Sequence, residues 1–143
     1  MAAASPSQPF EISVRVEEAD IDEQHHVNNI VYLRWAQEAA IAHWRAIAPG
    51  EAQSEIGWVV LRHEIDYKAP AFMADELLVK TWVGTAAGLA FERFTEIAHA
   101  GKGQILARAR TLWCPVNSTT GRPRRVSADV RARFSSGAAN PSP

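Results

Sequence analysis

With a single cysteine, Cys114, the chain cannot form an internal disulfide, so no cross-links stand in for a core. It has no apolar run near the roughly 18 residues that a membrane span requires, and no surplus of charge. Its 15 Lys and Arg balance 16 Asp and Glu to a formal charge of -1. No long-range field therefore draws it to nucleic acid or to an anionic membrane. The opening MAAASPSQP has neither a basic segment nor an apolar stretch and does not read as a signal peptide. These absences lead to the expectation of a soluble cytoplasmic protein that recognises its partners locally.

What is present is enough for one core. At 143 residues and 47% hydrophobic content the chain can fill a single domain and is too short for two. Residues 1–9 and 135–143, rich in Ala, Ser, Pro and Gly, read as flexible tails around a domain spanning 10–134.

Within that domain Phe10, Ile12, Val14 and Val16 alternate, as in a half-buried strand. Residues 30–48 then place Leu33, Ala36, Ala40, Trp44 and Ile47 at helical spacing. Asn28 is suited to cap that helix, Val27 with Tyr32 to staple it, and Pro49-Gly50 to end it. Ala36, Ala39, Ala40 and Ala42 would let a curved sheet approach closely. From Trp58 to Tyr67 the period is two again, and three further strands are expected at about 76–83, 89–98 and 104–116. The segments 84–88 and 101–103 read as turns, Pro70 as the end or edge of a strand, and 127–134 as a short helix capped by Ser127. The fold class is α+β: one long helix covered by a five-stranded antiparallel sheet, with a short C-terminal helix.

The densest polar cluster, DIDEQHHVNN at residues 20–29, lies between the first strand and the helix start. A helix N-terminus offers free N–H groups and a positive dipole end, which suit the oxyanion that develops on a carbonyl under attack. A carboxylate just before it can act as nucleophile or general base. The parts suffice for hydrolysis of an acyl group.

Asp20-Ile21-Asp22, His26-Val27-Asn28-Asn29 and Tyr32-Leu33 together resemble the hotdog thioesterases of the 4-hydroxybenzoyl-CoA thioesterase type, and also the plant acyl-carrier-protein thioesterases. IDYKAPAFMADEL and VNSTTGRPRRVS support the match. The resemblance implies a hotdog fold in a homo-oligomer, a dimer or a tetramer built from two dimers, with active sites across the dimer interface. It implies hydrolysis of an acyl-CoA or acyl-carrier-protein thioester by water, with no metal or other cofactor. It assigns Asp22 as the catalytic carboxylate, His26 as the family histidine and the N–H of Asn29 as donor to the thioester oxygen. The chain departs from the pattern in three places. His25 stands where many relatives have Gly, Gln24 where the plant enzymes have Asn, and no basic cluster occupies 86–88, where some relatives clamp the CoA phosphates. The plant enzymes' downstream catalytic glutamate has no clear counterpart.

Other residues carry competing readings. Asp20 is better read as a structural acceptor, Asn28 as a cap, and Glu38 as a solvated residue or a second acid or base. Gln24 and His25 would support the loop, adjacent imidazoles alone being poor grounds for a metal site. Tyr32 and Trp58 are candidates for the substrate wall, while Trp58, Phe72, Trp82, Phe91 and Trp113 fit either core or an acyl tunnel. Arg122, Arg124 and Arg125 are candidates for CoA phosphates. The rival functions are a non-catalytic acyl-thioester binding protein and a hotdog dehydratase or hydratase.

Overall fold

The period-two pattern of the first strand produces β1 (Phe10–Arg15), whose residues alternate between half-buried and exposed. The structure is a computed structural model that describes residues 9–134, so the expected tails lie almost wholly outside the described residues. A 3-10 turn at Glu18–Asp20 follows, then the long helix α1 (Asn29–Ile47) and a short helix α2 (Gly50–Glu55). The remaining elements are β2 (Ile56–Tyr67), β3 (Glu76–Ala87), β4 (Ala90–His99), β5 (Ile105–Asn117) and α3 (Ala128–Arg133). All the strands belong to one antiparallel sheet in the order β1-β3-β4-β5-β2, so β1 and β2 form its edges.

α1 lies across the sheet with its apolar stripe inward. Tyr32, Trp35 and Ala39 pack with Leu77, Val79, Ile97 and Leu106 in one cluster. Trp44 and Ile47 pack with Phe91, Val126, Val130 and Phe134 in a second, towards the other end of the helix. Ala36, Ala39 and Ala40 are buried, as close approach of a sheet demands. Val27 and Tyr32, on either side of the cap, are both buried, which fits the expected staple.

Three local expectations are corrected. Alternation along β2 does not run unbroken, because a register shift between Val60 and Arg62 leaves Leu61 as an extra residue, and the inward parity changes from Trp58 and Val60 to His63 and Ile65. Gly84 does not begin a turn. β3 continues past it to Ala87, and a Cβ at Gly84 would meet Phe94 Cε2 at 2.6 Å, so glycine is there for close approach within an irregular stretch of the ladder. The turn itself is Gly88-Leu89, with Gly88 at φ 61°. Finally, Pro49-Gly50 ends α1 but also opens α2. Gln53 N–H donates to the Pro49 carbonyl at 3.0 Å, and its side-chain amide donates to the Ala48 carbonyl at 2.9 Å, satisfying an orphan acceptor of α1. Among the aromatics assigned to core or tunnel, Phe72 is exposed.

Candidate functional site

The polar loop is built from the backbone outward. Asp20 is buried with both carboxylate oxygens engaged: Oδ2 accepts from the Glu17 N–H at 2.9 Å and Oδ1 from Arg34 at 2.9 Å. Ile21 and Val27 form an isolated antiparallel bridge, and the next pair is closed by the Asp22 N–H donating to the His26 carbonyl at 3.0 Å. The intervening turn is sealed by the His25 N–H on the Asp22 carbonyl, also 3.0 Å. His25 adopts φ 66°, the left-handed conformation for which glycine carries no penalty, so the departure noted in the sequence falls at a strained position.

This turn fixes the side chains of the loop that leads into the helix. Asp22 Oδ1 accepts from the Gln24 N–H at 2.8 Å, and Oδ2 has no partner among the described residues. His26 Nδ1 lies 3.2 Å from the Val27 carbonyl oxygen, which can only accept, so Nδ1 donates this bond, and Nε2 has no partner among the described residues. The Asn28 N–H reaches back to the Asp20 carbonyl at 2.9 Å, while Asn28 Oδ1 caps the Ile30 N–H at 3.1 Å. The Val31 N–H is taken by the Asn28 carbonyl. The Asn29 N–H, first in the helix, has no acceptor among the described residues. Its carbonyl accepts from the Tyr67 hydroxyl at 2.9 Å, which ties the helix start to β2.

The structure thus brings Asp22, His26, Asn28 and the Asn29 N–H together on one loop and helix start. Other candidates fall elsewhere. Gln24 and His25 are exposed. Tyr32 is buried, its hydroxyl accepting from the Ala71 N–H at 3.1 Å, and burial raises its pKa. Glu38 stands on the exposed face of α1, 3.5 Å from Arg34. Trp58 belongs to the aromatic cluster at the opposite end of the helix. Arg122 is exposed and Arg124 lies 3.7 Å from Glu55. Arg125 reaches the β3–β4 turn, its Nη1 3.5 Å from where a Gly88 Cβ would stand. A basic group therefore does occupy that turn, supplied from a distant segment. Among the described residues no group of three or more His, Cys, Asp and Glu is arranged to hold a metal ion.

One cluster escaped the sequence reading. His43 and Arg93 are both buried, with Arg93 Nη1 3.1 Å from His43 Nδ1 and 3.0 Å from Thr81 Oγ1. Burial and the neighbouring guanidinium hold the His43 pKa down at about 3. A signal existed, since Arg93 shares inward parity with Phe91, Thr95 and Ile97 along β4.

Residues 16–134 match the profile of the thioesterase-like superfamily. The chain belongs to this superfamily. Its fold is that of hotdog thioesterases. A 1,4-dihydroxy-2-naphthoyl-CoA thioesterase from Synechocystis superposes with a TM-score of 0.76 at 22% identity, over 89% of this chain and 96% of that one. A thioesterase from Thermus thermophilus, solved with coenzyme A and zinc, gives 0.77 at 25% identity over 88% and 97%. In sequence the chain is similar to a chloroplastic palmitoyl-acyl carrier protein thioesterase of Gossypium hirsutum, 26% identical over 137 residues. That stretch is 90% of this chain but only 32% of the cotton protein, so the superfamily member described here spans about a third of that relative's length.

Proposed function

We propose that the chain hydrolyses acyl thioesters of coenzyme A or of acyl carrier protein, with Asp22 as the catalytic carboxylate. The observation that carries this reading is a carboxylate with one oxygen unengaged among the described residues, held by a hydrogen-bonded turn just ahead of a helix-start N–H, that of Asn29, with no acceptor among them. A thioester oxygen received by the Asn29 N–H would be polarised there by the helix dipole. Asp22 then attacks the carbonyl carbon directly, or takes a proton from water that attacks it. In the first route the C–S bond breaks as thiolate leaves and the Asp22–acyl anhydride is then hydrolysed by water, whose proton goes to the thiolate; in the second, water's oxygen bonds to the carbonyl carbon as the C–S bond breaks, and the proton taken by Asp22 passes to the sulfur. His26, whose Nε2 has no partner among the described residues, fits a supporting role in orienting water or substrate. Arg125 beside Gly88, with Arg122 and Arg124 nearby in sequence, suits the phosphates of coenzyme A.

The same reading makes the active unit a homodimer, which two copies can extend to a tetramer. β2 is an edge strand of 12 residues that exposes Val59 at 47% and Leu61 at 58%, an edge suited to pairing with a second copy. The outer sheet face is a poorer contact, since Arg62, Glu64, Glu92 and Arg110 form ion pairs across it. Leu61→Arg is expected to convert the assembly to monomer in sedimentation and to lower turnover with it.

The direct test is thiol release from a panel of acyl-CoA and acyl-carrier-protein esters. Release that falls about 100-fold in Asp22→Asn supports the reading, a loss typical of removing a positioned acid–base group. Release unchanged by the substitution removes Asp22 from the mechanism, and no release from any ester points to a binding protein instead.

A further inference from the structure

The far end of α1 holds a cavity of about 50 Å³ whose walls include Ile41, Trp44, Trp58, Phe91, Trp113 and Arg93. Trp44 stands about 22 Å from Asn29 along the helix axis, at about 1.5 Å of rise per residue, so this is not the Asp22 loop. The walls are aromatic and aliphatic except for one guanidinium.

That guanidinium is the anomaly. Arg93 is only 5% exposed, yet no Asp or Glu pairs with it among the described residues. Both of its protein hydrogen bonds run through Nη1, to His43 and Thr81, and the ring of Phe134 lies 5.8 Å from Cζ. These contacts fix the guanidinium without neutralising it, and its Nε and Nη2 donors have no acceptor among the described residues. Burial lowers its pKa to about 9, which still leaves it charged at neutral pH. Two wall residues repeat the imbalance, since the buried indole N–H groups of Trp58 and Trp113 also lack an acceptor. An uncompensated buried charge is costly, and a surplus of donors is relieved by a group that only accepts.

We propose that this cavity binds the head of an apolar carboxylate, its oxygens on Arg93 and its hydrocarbon body leading out past the tryptophans through the mouth, since about 50 Å³ encloses only part of such an acid. Charge-assisted pairing with a guanidinium favours a carboxylate over a neutral ester of the same shape, and the apolar walls disfavour a fully hydrated inorganic anion. Ile41 is both a wall residue and 44% exposed, so the mouth lies beside it. The ligand is a free acid, because a thioester held at the Asn29 N–H about 22 Å away is out of reach of a short acyl chain.

Three of the chain's five tryptophans line the cavity, so intrinsic fluorescence reports occupancy of the full chain directly. Hexanoate and benzoate are expected to quench it, binding about 10-fold tighter than their methyl esters. Arg93→Gln should erase that preference, and Ile41→Trp, which fills the mouth, should abolish quenching even if the first variant does not fold. Esters that bind as well as acids, or quenching that survives in Ile41→Trp, would overturn the proposal. Binding needs no turnover, so a chain that hydrolyses thioesters but binds no acid defeats this proposal and spares the hydrolase reading.

Discussion

The two ends of α1 solve opposite problems. At the N-terminal end, Asp22, His26 and Asn28 are positioned mostly by backbone hydrogen bonds from within the same loop, and their side chains keep free polar atoms. At the C-terminal end, Trp44, Trp58, Phe91 and Phe134 meet from four separate segments, with ring centroids 4.9 to 6.2 Å apart, around a buried Arg93 and His43. The first end resembles a tool mounted on the fold; the second is part of what holds the fold together. Substitutions at the first should therefore change turnover with little change in stability, and substitutions in the aromatic cluster at the second should change stability most.

The largest expected effect is at the aromatic end. Phe134→Ala removes a ring stacked on Trp44 and edge-on to Trp58, His43 and Phe91, and should destabilise by about 3–5 kcal/mol in denaturant titration. A loss below about 1 kcal/mol would mean that the terminal helix merely rests on the cluster.

The next sharpens the comparison through pH. His43 is held neutral with a pKa of about 3, against 6.5 ordinarily. Between those values the unfolded chain binds a proton that the folded chain does not, so stability rises with pH across the window. On acidification below pH 6.5 it should fall by about 1.4 kcal/mol per pH unit from this residue alone. His43→Gln should remove that part of the slope, seen by comparing denaturation above and within the window. An unchanged slope would assign the acid sensitivity to other groups.

The smallest effect is at the loop. Asn28→Ala deletes the cap on the Ile30 N–H and should cost about 1 kcal/mol in thermal or chemical unfolding. A cost as large as that of Phe134→Ala would erase the distinction between the two ends.

The same contrast explains what could be read from sequence. Helix, strands and caps follow from period and from short-range chemistry, so Asn28 and Ser127 were both legible as caps, and each accepts the expected backbone N–H. The loop from Asp20 to Asn29 was legible as a candidate site because its residues are contiguous. The His43–Arg93 pair was not, because its members are 50 residues apart in the chain and meet only when β4 packs under α1. Leu61 and Gly84 misled for a related reason, as bulges and close approaches depend on the partner strand and not on the strand's own pattern. Arg125 shows the same limit, since a basic group absent from the β3–β4 turn in sequence is delivered there by the fold.

The separation of the two ends is tested most directly by one variant with two readouts. Asp22→Asn should lower kcat/KM for thioester hydrolysis about 100-fold while leaving the tryptophan quenching by hexanoate, and the melting temperature, as in the native chain. Turnover that survives the substitution, or quenching lost together with turnover, would contradict the division of labour along α1.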